Sequence, residues 1–424
     1  MGPSVYFVSR KMKRLLQINP VLRTNTSTGR IMQEIGELAI HNGWESYVAY
    51  SWGRDGIKAC RSQLLPVGNG WSVAWHGVMT RLFDRHGLAS RGATERLIDR
   101  MEELKPDIIH IHNLHGYFLN YRVLFDYLSR CDTPVVWTVH DCWLYTGHCY
   151  YYSYIHCDKW RTGCNHCPQR KDFPTSWLCD RSRQNYADKR TAFTSMPKDR
   201  LIIVPVSEWM KGEMQQSFLK DYEYRVIHNG INTEVFAPCE PERAKARYGL
   251  QGKRILLGVA SIWSREKGLH DFLELARLLD REERIVLVGI KPEEGRRLPE
   301  NVVGIARTEN VHQLAELYAA ADIFVNPTWQ DNYPTVNLEA IACGTPVVTY
   351  RTGGSVEAVT GETGFVVEQG DVAGLLRAAR TVAAKGKDAY RNACRSHALA
   401  HFRKEDRYAD YFRLYEELLE RCRN

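Results

Sequence analysis

Apolar residues along this chain fall into short continuous runs separated by stretches of helical spacing. In the first half, KRLLQINPVL reads as a buried strand, followed by a Thr/Ser/Gly turn from Asn25 to Gly29. RIMQEIGELAIHNG then places apolar residues near a 3.6-residue period and stops at Gly43, as a helix closed by glycine does. ESYVAYS, PDIIHIH, TPVVWTVH and RLIIVPVS predict further strands, with helical stretches such as ATERLIDRMEELK between them. Strands that are apolar on both faces and alternate with helices predict a parallel sheet covered on each side.

The alternation lapses over RVIHNGINTEVFAPCEPER, which carries Asn-Gly and two prolines and reads as an interdomain connection. It resumes in RILLGVAS, HDFLELARLLD, RIVLVGI, VHQLAELYAAA, DIFVNPT, NLEAIACG, TPVVTYR and GFVVEQG, and ends in a helical segment with no strand after it. The expectation is an α/β chain of two doubly wound, Rossmann-like domains, which suits 424 residues. The first spans 1–225 with an insertion at about 145–180, a linker covers 226–240, and the second domain spans 241–398. The last helix, 399–424, is expected to cross back to the first domain. In such sheets ligands sit beyond the carboxyl ends of the strands, so the cleft between the domains is the expected site.

No run of 18 apolar residues occurs, so no membrane-spanning helix is predicted. The N-terminal stretch lacks the long apolar run and small-residue cleavage site of a secretory signal, and Met12 is an alternative start. A cytoplasmic protein is expected. Net charge is +7, and it is unevenly placed: residues 1–230 hold 30 Lys and Arg against 22 Asp and Glu, whereas the remainder holds 27 against 28. A basic half implies an anionic partner (a membrane surface, a pyrophosphate-bearing substrate or a nucleic acid) or a merely solvated surface.

Five of the twelve cysteines fall between Cys142 and Cys167. Cys149, Cys157, Cys164 and Cys167 end in C-x2-C and offer four soft ligands, the set for a closed structural zinc that pins the insertion; unligated thiols are the alternative. A zinc-bearing nucleic-acid-binding module would use the same cluster and the basic half, but it explains nothing about residues 325–357.

That stretch holds the sharpest chemistry. Asp331 and Glu339 bracket a strand-to-helix loop, with the helix expected to begin near Pro334 or Thr335. The amides of Asn332, Tyr333 and Thr335 are then free to donate, and a carboxylate can accept two bonds from a vicinal diol of a sugar or ribose. Read without context, Glu339 is a surface helix residue and Asp331 a turn residue.

The spacing from Asp331 to Glu339 resembles the E-x7-E motif of glycosyltransferase family 4, retaining enzymes of GT-B fold. The resemblance implies that Glu339 binds the nucleotide ribose while Asp331 and the following amides hold the donor sugar. The first position is Asp rather than Glu, and Asn332 and Tyr333 replace the usual glycines, which bears on the choice of sugar. His228-Asn-Gly-Ile-Asn-Thr-Glu-Val-Phe236-Ala-Pro238 resembles the family's interdomain signature. VASIWSREKGLHDFLELA resembles its diphosphate-binding segment: Lys267 matches the family lysine, Ser261 stands at the arginine position, and Arg265 is the substitute. A lysine and a helix N-terminus can stabilise a leaving diphosphate without a metal.

Gly353 and Gly354 follow a strand and would let amides approach a phosphate. Gly29, with Arg30, occupies the equivalent loop of the first domain. His140 ends the strand VVWTVH and resembles the family histidine that contacts the donor sugar, or pairs with Asp141 for structure. His110, His112 and His115 either line an acceptor pocket or are structural. The resemblance implies a UDP- or GDP-hexose donor, no cofactor for catalysis, and a saccharide or lipid-linked oligosaccharide acceptor at the inner membrane face. Exopolysaccharide, capsule or lipopolysaccharide assembly is the expected setting. A sugar-nucleotide epimerase or a phosphorylase shares the fold, but the latter wants a lysine for pyridoxal and no obvious candidate is present.

Overall fold

The computed structural model describes residues 12–23, 27–53, 57 and 60–422. Seven parallel strands form the N-terminal sheet: β1 (Arg14–Ile18), β2 (Glu45–Tyr50), β3 (Gln63–Pro66), β4 (Ile108–Ile111), β5 (Val135–Val139), β6 (Leu201–Pro205) and β7 (Glu223–Tyr224), in the order β3-β2-β1-β4-β5-β6-β7. Around it lie α1 (Ser27–His41), α2 (Gly70–Phe83), α3 (Arg91–Leu104), α4 (Tyr121–Leu128), α5 (Ser182–Phe193) and α6 (Glu208–Met214). Strands β4, β5 and β6 are buried at every position, as the continuous apolar runs require of a sheet covered on both faces.

The C-terminal sheet holds β8 (Arg254–Val259), β9 (Glu283–Val288), β10 (Val302–Ile305), β11 (Ile323–Asn326), β12 (Val347–Tyr350) and β13 (Gly364–Val367), ordered β10-β9-β8-β11-β12-β13 and again all parallel. Its helices are α7 (Glu242–Arg247), α8 (Leu269–Ala276), α9 (Pro292–Gly295), α10 (Val311–Ala320), α11 (Thr335–Ala342), α12 (Val372–Lys385) and α13 (Asp388–His401). In each all-parallel sheet the order in which the chain adds strands reverses once, between β1 and β4 and between β8 and β11, and each reversal opens a crevice at the strand ends.

The final helix, α14 (Lys404–Arg421), leaves the C-terminal lobe and packs on the N-terminal sheet. Tyr408, Tyr411, Leu414, Tyr415 and Leu418 share one face of it and are buried against Leu15, Ile31, Ile108, Val136 and Ile202. At roughly 1.5–3 kcal/mol per buried large side chain, this face alone fixes the helix to the N-terminal lobe. The two chain crossings are themselves joined: Ile231 N donates to Phe402 O at 2.8 Å and Lys404 N to Ile231 O at 3.0 Å. Gly230 makes this possible, since a Cβ there would stand 2.5 Å from the Lys404 Cα.

The turn expected over Asn25–Gly29 is shorter than its sequence suggests. Helix α1 already begins at Ser27, and Gly29 is buried inside its first turn, while Asn25 and Thr26 lie outside the described residues. Gly29 is therefore a packing position of α1 rather than part of a glycine loop.

Candidate active site

Lys267 lies in the loop between β8 and α8, and Asp331 in the loop between β11 and α11, on the two sides of the C-terminal crevice. The two loops are stitched together. Trp329 N donates to Glu266 O at 2.8 Å, Thr328 Oγ1 donates to the same carbonyl at 3.2 Å, and Gly268, at φ +78°, packs where a Cβ would lie 2.2 Å from the Pro327 carbonyl oxygen. The result is a Lys267 Nζ–Asp331 Oδ2 ion pair of 2.7 Å. Its lysine is the more exposed partner, so the ammonium stays open to an anion arriving from the cleft.

Helix α11 begins at Thr335 with Pro334 at its cap and no side chain satisfying the first amides. The amides of Asn332, Tyr333 and Thr335 find no acceptor among the described residues. Two side chains of this loop instead hold the lobes together. Asn332 Nδ2 donates to the backbone carbonyl of His140 at 2.7 Å, and the Tyr333 ring stacks on His228 at 4.6 Å.

Glu339 is buried about one turn into α11. Its Oε2 accepts from the Tyr318 hydroxyl at 3.0 Å, and its Oε1 lies 3.9 Å from Arg30 Nη2 of the opposite lobe. Burial pushes the Glu339 carboxyl up from the usual glutamate range, and Arg30 and the Tyr318 bond pull against that rise. Arg30, beside Gly29, thus reaches the carboxylate that the motif puts in the second position.

Gly353 and Gly354 are needed for backbone packing. A Cβ at Gly353 would sit 2.0 Å from the Asp331 carbonyl oxygen and one at Gly354 1.9 Å from that of Asn332, while Gly354 N donates to Asp331 O at 3.2 Å. The pair buttresses the Asp331 loop, and the Gly354 amide is engaged there rather than presented to a phosphate. Glu357, just beyond, caps the opposite lobe: its carboxylate accepts from the amides of Glu208 and Trp209 at 2.9 and 2.7 Å. Arg265 faces the insertion, its guanidinium 5.9 Å from the Tyr154 ring, and makes no ion pair among the described residues.

On the N-terminal side, β4 and β5 deliver a histidine file. Gln17 Nε2 donates to Met32 O at 2.9 Å, so its Oε1 is the acceptor that meets His112 Nε2 at 3.1 Å. His112 then carries its proton on Nε2 and accepts at Nδ1, where His140 Nε2 approaches to 3.3 Å. This assignment leaves the His140 Nδ1 lone pair available to a hydroxyl. Burial lowers the His140 pKa to about 4, so the ring is neutral at physiological pH.

Asp141 pairs not with His140 but with His115, Oδ2 to Nε2 at 2.5 Å. Burial works against that carboxylate, yet His115 and the Trp143 amide hold it below its usual range. His110 lies deeper, between Thr138 and Tyr415 at 2.7 and 2.6 Å, and belongs to the core under α14 rather than to an acceptor pocket. Sequence reasoning missed Gln17, Tyr318 and the partner of Asp141, because each is a contact between distant segments. The i, i+2 spacing of His110 on β4 and His112 just beyond it was the available signal for a shared face.

The zinc site expected from the cysteine spacing is not formed. Among the described residues no group of three or more His, Cys, Asp or Glu side chains is arranged to hold a metal ion. Cys149, Cys157, Cys164 and Cys167 do line one small cavity of about 10 Å³. Gly147 N donates to Cys164 Sγ at 3.1 Å, and the Cys149 and Cys167 thiols interact so that Cys149 is raised and Cys167 lowered to about 7. His148, which lines the same cavity, pairs through Nδ1 with Asp84 at 2.7 Å. Aromatic packing of Tyr145, Tyr152 and Trp160 holds the insertion instead.

Among the described residues no helix is long and apolar enough to cross a membrane. The family described as Glycosyltransferase Family 4 matches residues 29–235, and that described as Glycosyl transferases group 1 matches residues 253–385. A putative colanic acid biosynthesis glycosyl transferase, WcaC of Escherichia coli, is 26% identical over 86% of this chain and 89% of its own. Sucrose-phosphate synthase from Thermosynechococcus elongatus superposes with a TM-score of 0.70 at 17% identity, covering 96% of this chain and 99% of that one. Anabaena HepE in complex with UDP-glucose gives 0.66 at 14% identity, covering 95% and 99%. The fold is therefore GT-B, and because a glycosyltransferase family model matches each lobe in turn, the chain belongs to the glycosyltransferases, with its N-terminal lobe matching family 4.

Proposed function

We propose that the protein moves a hexosyl group, with retention at the anomeric carbon, from a UDP- or GDP-sugar to a hydroxyl of a saccharide or lipid-linked acceptor in cell-surface polysaccharide assembly. The observation that carries this reading is the Lys267–Asp331 pair at the mouth of the unpartnered α11 amides, with Glu339 buried behind it. Lys267 and those amides offer positive charge to a leaving diphosphate. Asp331 and the His140 lone pair offer acceptors to sugar hydroxyls, and Glu339 offers one to the ribose.

The anomeric carbon–oxygen bond to the diphosphate breaks and a bond to the acceptor oxygen forms on the same face. The acceptor proton passes to the departing phosphate oxygen. Arg265, near Tyr154, is a second cation for the diphosphate. The relatives support the setting, since WcaC is named for colanic acid biosynthesis and HepE is bound to UDP-glucose.

Thermal-shift measurements with UDP, GDP and their sugars test the reading. One nucleotide should raise the midpoint by several degrees through preferential binding to the folded state. Glu339→Ala should abolish that shift, whereas Asp331→Ala should keep much of it and slow transfer. Wild-type behaviour of both variants would overturn the assignment.

A further inference from the structure

Helix α2 is built inside out. Its inward face holds Val73, His76, Gly77 and Thr80, and the polar members are satisfied: His76 Nδ1 meets Ser90 Oγ at 2.9 Å, and Gly87 N donates to His76 Nε2 at 3.0 Å. Its outward face carries Trp71, Trp75 and Val78 at successive turns, and Trp71 is 87% and Trp75 60% exposed. Soluble surfaces seldom display two tryptophans on one helical stripe, and contiguous exposed apolar area marks an interaction face.

The stripe is continued and flanked. Trp177 N donates to Arg81 O at 2.7 Å, which sets exposed Trp177 and Leu178 at the C-terminal end of α2. Beside Trp75 lies a cavity of about 420 Å³ walled by Met79 and Leu88 and rimmed by Arg85, Arg91 and Arg96, with no acidic residue in its lining. Arg85 and Arg96 make no ion pair among the described residues, and only Arg91 is paired, with Glu95 at 2.8 Å. Exposed tryptophans beside unpaired arginines complement an anionic bilayer surface, where indoles settle at the headgroup level and guanidiniums meet phosphates.

This face also leads to the candidate active site. The Arg81 guanidinium lies 5.6 Å from the Tyr117 ring, Tyr117 6.3 Å from Phe173, and Phe173 6.2 Å from His115, which holds Asp141 next to His140. Phe173 is itself exposed. We infer that the α2 face with the 173–178 loop docks the protein on an anionic membrane surface, so that a lipid-anchored acceptor passes along the Phe173–His115 track into the cleft. The acceptor part rests on the transferase reading given above, while the docking part stands on the surface alone.

Co-sedimentation with phosphatidylglycerol/phosphatidylcholine vesicles, with nucleotide thermal shifts measured in parallel, separates the two. The wild type should bind phosphatidylglycerol vesicles, lose binding as salt rises, and bind pure phosphatidylcholine at least tenfold more weakly. Trp71→Ala/Trp75→Ala and, separately, Arg85→Ala/Arg91→Ala/Arg96→Ala should each lower vesicle binding at least tenfold while keeping the wild-type nucleotide shift. Nucleotide shifts without vesicle binding would overturn the docking and leave the transferase reading intact; vesicle binding without any nucleotide shift would do the reverse. Light scattering that finds a dimer, made monomeric by Trp71→Ala/Trp75→Ala and indifferent to vesicles, would assign the face to a second copy and overturn the membrane.

Discussion

Asn332 Nδ2 reaches across the interlobe crevice to the backbone carbonyl of His140 at 2.7 Å. The bond joins the residue after Asp331 to the strand-end histidine of the other lobe, so under the proposed function closure and the shape of the sugar site are coupled. A single net hydrogen bond is worth about 1 kcal/mol. Asn332→Ala should therefore weaken nucleotide-sugar binding about fivefold in calorimetry, with thermal stability of the apo-protein nearly unchanged.

Removing the Lys267 ammonium takes away the exposed cation beside Asp331 and leaves that half-buried carboxylate unpaired. Lys267→Ala should weaken UDP or GDP affinity by about tenfold or more, following the charge-assisted bonds lost to the diphosphate. Free ribose-containing nucleoside should bind the variant as it binds the wild type. Equal losses for both ligands in titration calorimetry would place Lys267 away from the phosphates.

Glu339 must be ionised to accept from a ribose diol, and burial raises its carboxyl above the ordinary value. On acidification, donor affinity should begin to fall at a higher pH than an exposed glutamate would dictate. Tyr318→Phe removes a bond that favours the charged form, so it should move this loss to still higher pH. A pH series of donor dissociation constants for the two proteins measures the displacement.

Under the proposed function, Gln17 acts on the sugar site through His112 and His140. Gln17→Leu removes the acceptor that fixes the His112 proton, and His140 then loses its set orientation. A few-fold drop in kcat with an unchanged donor KM is expected, because the contact serves the reacting sugar rather than the nucleotide.

The buried histidines also shape acid stability. Burial lowers His76 and His110 to about 3 and His140 to about 4, so each binds its proton more readily in the unfolded chain. Their contribution is complete above the unfolded histidine value of about 6.5 and is lost as pH falls from there toward about 3. Melting temperatures should decline steeply over that window, and His110→Gln should flatten part of the decline.

The two parallel sheets were legible in the sequence because each strand is a closed apolar run and each helix a periodic one, whereas the strand order came only from the structure. The nearness of Lys267 and Asp331 was legible because both lie in loops just beyond strand ends, where such sheets place their ligands. What escaped reading depends on distance or on direction. Asp141 pairs with His115 across β4 and β5, not with its chain neighbour. Gly353 and Gly354 face carbonyls of another loop. The cysteines have the spacing of a metal site but a different arrangement of sulfurs. Helix α2 has a regular apolar stripe, and periodicity alone would bury it, whereas the polar face turns inward here.

The paired crossings at Ile231 and Phe402–Lys404 have a mechanical consequence. A lobe hung from one thread could swivel about any axis. Two threads hydrogen-bonded side by side behave as a strap, which bends readily across its width and resists being wrung. The gap between Lys267 and His140 can then widen or narrow in a single swing, and each return brings the same atoms back to the same register.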